Sequence, residues 1–146
     1  MRINSKVRYG LKALSYIAQN GNDGHFVRIK EISEAQNTSS QYLEQILFKL
    51  KKEEIIEGKR GPYGGYIMKK NPSEITLYDI YIILNEEEKI INCNEDEMKT
   101  HICKEENCGD FCIWSKMDNA MSRILKNTTL TEFMSNNKGN IGEILD

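Results

Sequence analysis

The sequence predicts a mainly α chain with one small β-hairpin and a long helix towards its end, and three observations carry that prediction. Apolar residues return at helical spacing in four stretches: Val7, Leu11, Leu14 and Ala18; Ile29 and Ile32; Leu43, Ile46, Leu47 and Leu50; Leu77, Ile80, Tyr81 and Leu84. Between the third and fourth, IIEGKRGPYGGYIMKK places β-prone pieces on either side of a turn rich in glycine. From Phe111 onward, Trp114, Met117, Met121 and Leu125 mark a longer amphipathic helix.

Taken in order, the first helix spans residues 5–19 and ends in the plain loop Gly21-Asn22-Asp23-Gly24. A short second helix starts at Ile29 and stops near Asn37. The run Asn37-Thr38-Ser39-Ser40 is turn-like and offers hydroxyls to cap a third helix. That helix carries Gln41, Glu44, Gln45, Lys49 and Lys52 opposite its apolar stripe. Strands at 55–57 and 66–68 flank the turn containing Pro62, and Thr76-Leu77-Tyr78-Asp79 resembles a capping box opening a fourth helix. The acidic stretch 85–110 has no clear period. Asp110 is a candidate N-cap for the long helix, and Thr129-Leu130-Thr131-Glu132 caps a last short one. Helix, helix, turn, helix, hairpin is the order of a winged helix-turn-helix. At the hairpin tip, Lys59-Arg60-Gly61 puts two cations beside glycine, where the backbone can approach a groove closely.

The 146 residues suffice for one domain with a real core, so no disulfide staple is needed. MRINSKVRYG offers no apolar h-region or cleavage site, and no apolar run reaches the length of a membrane span. The expected setting is therefore the cytoplasm, away from membranes, where structural disulfides are rare. The net charge of −2 conceals an asymmetry: residues 1–70 hold 13 Lys and Arg against 7 Asp and Glu, whereas residues 71–146 hold 7 against 15. A basic half suits a polyanion, although ordinary charge scatter explains the same counts. No nucleophile–base constellation or phosphate loop supports an enzyme.

Ser39 with Tyr42-Leu43-Glu44-Gln45, Arg60-Gly61-Pro62 followed by Gly64-Gly65-Tyr66, and Ile75-Thr76-Leu77 together carry a resemblance. With Tyr9-Gly10-Leu11, Trp114 and Thr129-Leu130, the chain resembles the IscR/NsrR/CymR-type winged-helix regulators of bacteria over nearly its whole length. The resemblance implies a homodimer that binds palindromic promoter DNA, with repression as the expected mode. It divides the chain into a winged helix-turn-helix DNA-binding domain (1–84), a cysteine-containing sensor loop (85–112) and a dimerisation helix with its tail (113–146). Ser39, Gln41, Tyr42, Glu44 and Gln45 then fall at the start of the recognition helix, the end that meets base edges in the major groove. Gln can pair with adenine and Glu can accept from cytosine, although a solvated helix face explains Glu44 equally well. Arg60 suits a narrow minor groove and Lys59 a phosphate. Tyr66 is placed either to touch DNA or to pack the wing on the third helix.

Four cysteines remain: Cys93, Cys103, Cys108 and Cys112, separated by nine, four and three residues. Structural zinc favours closer pairs set well apart, so this spacing allows zinc without signalling it. Iron–sulfur clusters accept less regular thiolates that can converge. In cluster-binding members of the resembled family, three loop cysteines ligate, and the third lies six residues before the tryptophan; Cys108 holds that place relative to Trp114. The regulator of cluster biogenesis in that family adds a histidine three residues before the tryptophan, where this chain has Phe111. Other members use an acidic or histidine residue of the first helix, where this chain shows Arg8 and Lys12. None of these can ligate iron, so Cys112 is the expected replacement, with His101 the next candidate. The expected cofactor is an iron–sulfur cluster, [2Fe–2S] in preference to [4Fe–4S]. A thiol- or zinc-responsive regulator without a cluster is one rival reading, and a small iron–sulfur carrier or electron-transfer protein is another. The Trp114, Met117, Met121 and Leu125 stripe is expected to be a dimer seam.

Overall fold

A computed structural model describes residues 4–22, 24–85 and 109–136 of the chain. Helices α1 (Ser5–Asn20), α2 (Ile29–Gln36) and α3 (Ser40–Lys52) lead into strands β1 (Ile56–Lys59) and β2 (Gly65–Met68). Helices α4 (Leu77–Asn85), α5 (Gly109–Asn127) and α6 (Leu130–Asn136) follow. The winged helix-turn-helix read from the sequence is therefore present, with the long helix after it.

Asn4 caps α1: its side-chain oxygen accepts the Lys6 N–H at 3.0 Å. The buried face of α1 is Val7, Gly10, Ala13, Leu14 and Ile17. The expected stripe was Val7, Leu11, Leu14 and Ala18, so the true face is rotated. The cause is crowding, because α1 touches α2, α3, α4 and the hairpin at once. A Cβ on Gly10 would collide with the Leu84 side chain of α4, so bare backbone lets these two helices close together.

Asn37 ends α2 in the left-handed conformation (φ 48°), as asparagine tolerates there. α3 buries Leu43, Ile46, Leu47 and Leu50, the four residues its periodicity named. The hairpin is antiparallel, pairing Ile56 with Met68 and Lys59 with Gly65. Its tip closes with the Gly64 N–H donating to the Gly61 carbonyl at 3.0 Å, with Pro62 at the second turn position where its fixed φ is favoured. Val27 and Tyr66 exchange backbone bonds of 3.0 and 2.8 Å, fastening the wing to the loop before α2. Gly65 makes this possible: its φ is 152°, and a Cβ there would strike the Val27 carbonyl.

The capping box of α4 is complete, with Thr76 N–H donating to Asp79 at 2.9 Å and Asp79 N–H to Thr76 Oγ1 at 3.1 Å. α5 begins at Gly109, two residues before the expected start, so Asp110 lies inside the helix and is not its N-cap. α6 returns to the winged unit. Its own capping box joins Thr129 and Glu132 at 2.8 and 3.2 Å, and the Leu130 N–H donates to Ile75 at 2.8 Å. Leu130 is fully buried, in one core cluster with Leu14, Ile32, Leu47, Ile80 and Leu84. Each such side chain contributes about 1.5–3 kcal/mol through burial. Among the described residues, no helix is long and apolar enough to cross a membrane.

Candidate nucleic-acid interface

α3 owes its start to Ser39, whose hydroxyl accepts the Tyr42 N–H at 3.2 Å. The same hydroxyl that was read as a DNA contact thus also fixes the helix N-terminus. Gln41, Glu44 and Gln45 are exposed on the side opposite the core, free of the winged unit's packing. Tyr42 departs from this set. It is half-buried, stands edge-on to Tyr9 with ring centroids 5.6 Å apart, and its hydroxyl lies 3.1 Å from Ser5 Oγ. Its ring ties the start of α3 to the start of α1.

The hairpin brings the remaining candidates up beside α3. A cleft of about 590 Å³ separates helix from wing, and Glu44, Lys59, Arg60 and Tyr66 all line it. Arg60 is exposed at the tip, and the Lys59 ammonium sits 5.5 Å from the centre of the Phe26 ring. Tyr66 is half-buried at the foot of the cleft. Burial pushes its phenol above the usual tyrosine range, and the nearby Glu44 carboxylate adds to the effect. Tyr66 also packs against the hydrophobic core.

Among the lining residues that escaped the sequence reading are Arg28, Phe48 and Lys51. The Arg28 guanidinium donates to the Pro62 carbonyl, a contact across 34 residues that no local pattern announces. The Lys51 side chain lies close to Gly58 of β1. Phe48 had a readable signal, since it falls outside the Leu43–Leu50 stripe and so had to point away from the core.

Of the four cysteine candidates, only Cys112 falls among the described residues. Cys93, Cys103 and Cys108, with His101, lie outside the described residues, and Cys112 is the fourth residue of α5. Among the described residues, no group of three or more His, Cys, Asp or Glu could hold a metal ion. The expected apolar stripe of α5 is divided. Met121 and Leu125 pack on the winged core, whereas Met117 is exposed together with Ile113 and Ile124.

A recognition-type helix with a free polar face, flanked by a basic wing, defines a DNA-binding winged-helix regulator of transcription. The chain belongs to the Rrf2 family, described as an iron-dependent transcriptional regulator, whose model matches residues 3–136. It is 33% identical over 137 residues to the HTH-type transcriptional regulator IscR of Yersinia pestis, covering 93% of this chain and 80% of that one. Among solved structures it resembles CymR, the global cysteine regulator of B. subtilis, with a TM-score of 0.76 and 27% identity over 92% of this chain and 97% of the other. It also resembles the oxidised form of Staphylococcus aureus CymR, with a TM-score of 0.73 and 30% identity over 92% and 96% of the two chains.

Proposed function

We propose that this protein is a homodimeric repressor that reads a palindromic promoter site with α3 and the wing, and that an iron–sulfur cluster on Cys93, Cys103, Cys108 and Cys112 modulates that reading. The cleft between α3 and the hairpin carries the first part. Arg28, Lys51, Lys59 and Arg60 surround it, which suits phosphates, while Gln41, Glu44 and Gln45 offer hydrogen-bonding groups to base edges. Dimerisation is supported by α5, where Ile113, Met117, Ala120 and Ile124 are exposed at spacings of four, three and four residues. That is the spacing of a helix-on-helix seam.

The family's description as iron-dependent and the four-thiol donor set support the cluster. A bound cluster would supply a centre whose loss or oxidation changes the charge and order of its loop. Cys112 stands in the first turn of α5, where the N–H groups of a helix N-terminus and the helix dipole favour a thiolate. A change at Cys112 is thereby passed directly to α5 and its seam. A second reading has support of its own: two similar structures are CymR proteins, one the global cysteine regulator of B. subtilis and one an oxidised form. In it the same cysteines respond by thiol oxidation, or hold zinc. The carrier reading finds no support in a family of regulators.

Purification without oxygen, followed by iron, sulfide and zinc analysis, separates these readings. Iron and sulfide with visible charge-transfer absorbance, lost or altered in each single Cys→Ala variant, would support the cluster; zinc alone, or neither, would support its rivals. An unchanged spectrum in Cys112→Ala would move the fourth ligand to His101. For DNA, Arg60→Ala should weaken binding most at sites with A·T-rich flanks, and Gln45→Ala should cost about 1–3 kcal/mol at one base position. Wild-type affinity in both variants would refute the assignment of the cleft.

A further inference from the structure

An α-helix turns about 100° per residue, which places Phe48 within roughly 30° of the direction opposite Leu43, Ile46, Leu47 and Leu50. Its ring is 69% exposed. A scattered exposed apolar residue is ordinary on any surface. Phe48, however, is not placed at random. It occupies the middle of the one face of α3 whose other outward members are Gln41, Glu44, Gln45, Lys51 and Lys52, all polar or charged. It also lines the cleft that Arg28, Lys51, Lys59 and Arg60 make electropositive. A duplex drawn onto those cations would bring the floor of its major groove against this face.

The major-groove floor has one large apolar feature, the C5-methyl group of thymine. A phenyl ring has no donor or acceptor with which to read the other edges. Set against cytosine, it would meet only a C5 hydrogen where thymine offers its methyl group. We infer that Phe48 reads a thymine by its methyl group, a specificity contact distinct from the polar readers on the same helix. The inference rests on the DNA-binding reading of α3 and sharpens it: the operator carries a required thymine in each half-site because of Phe48.

The test uses the full-length protein and the duplex it selects from a random-sequence library. Replacing thymines one at a time by deoxyuridine removes only the methyl group. At one thymine per half-site this should weaken wild-type binding about three- to fivefold, the value of one buried methyl. Phe48→Ala should bind the thymine duplex more weakly and become indifferent to deoxyuridine at that position alone. Cytosine placed there should weaken wild-type binding, and 5-methylcytosine should restore part of the loss, with no restoration in Phe48→Ala. Wild-type indifference to deoxyuridine at every thymine would overturn the inference while leaving DNA binding intact. So would Phe48→Ala weakening all duplexes alike, the result expected of a ring packed on the sugar–phosphate backbone. Failure to select any duplex would instead remove the DNA-binding reading beneath it.

Discussion

In α3 every member of the apolar stripe is buried within the chain, whereas in α5 the apolar residues form two rows that meet different surroundings. Met121 and Leu125 face inward onto the winged core. Ile113, Met117 and Ile124 remain 55%, 41% and 62% exposed. The same residue types at the same kind of spacing thus complete a core in one helix and leave a surface unfinished in the other. A stripe in the sequence says that a helix has an apolar side. It does not say whether that side meets the helix's own chain or another one.

The sharpest way to break the comparison is to remove one residue from each side. Leu47→Ala should destabilise the fold by about 2–5 kcal/mol through the cavity it leaves, read by denaturant unfolding. Ile124→Glu should leave unfolding nearly unchanged when the protein is held monomeric by dilution, yet weaken self-association by roughly 1.5–3 kcal/mol in sedimentation, the value of one buried isoleucine. Met121→Glu should do the reverse, harming the fold first; an intact fold with lost association would return Met121 to the seam.

A smaller effect concerns the joint between α4 and the chain before it. Thr76→Ala removes the hydroxyl that accepts the Asp79 N–H and should cost about 1 kcal/mol in thermal or chemical unfolding. The smallest concerns Tyr66, whose phenol is raised above the ordinary value near 10 by burial first and by Glu44 second. A raised folded-state value means that its contribution is complete below the unfolded value and fades as pH climbs through the folded one. Spectrophotometric titration should therefore show Tyr66 ionising above the ordinary tyrosine value. Glu44→Gln should move it only part of the way back, because burial remains; full normalisation would make the carboxylate the main cause.

Legibility followed the range of the interactions. The α3 stripe, both capping boxes and the hairpin came directly from residues a few positions apart. The rotation of α1 did not, since Gly10 and Ile17 face inward only because α4 and the wing arrive from far along the chain. Within the interface, Gln41, Glu44 and Gln45 were readable as the outward side of an amphipathic helix. Arg28 was not, because its partner Pro62 lies 34 residues away.

The sequence by itself determined the order of elements, the caps of α3, α4 and α6, and the Rrf2-like motifs at the wing, because these depend on periodicity and short-range hydrogen bonding. Only the tertiary structure decided that Arg28, Lys51 and Phe48 join Arg60 around one cleft, that Tyr42 turns to Tyr9, and which row of α5 stays exposed. Those outcomes depend on how separate helices pack against one another, and packing partners distant in the chain leave no local pattern to read.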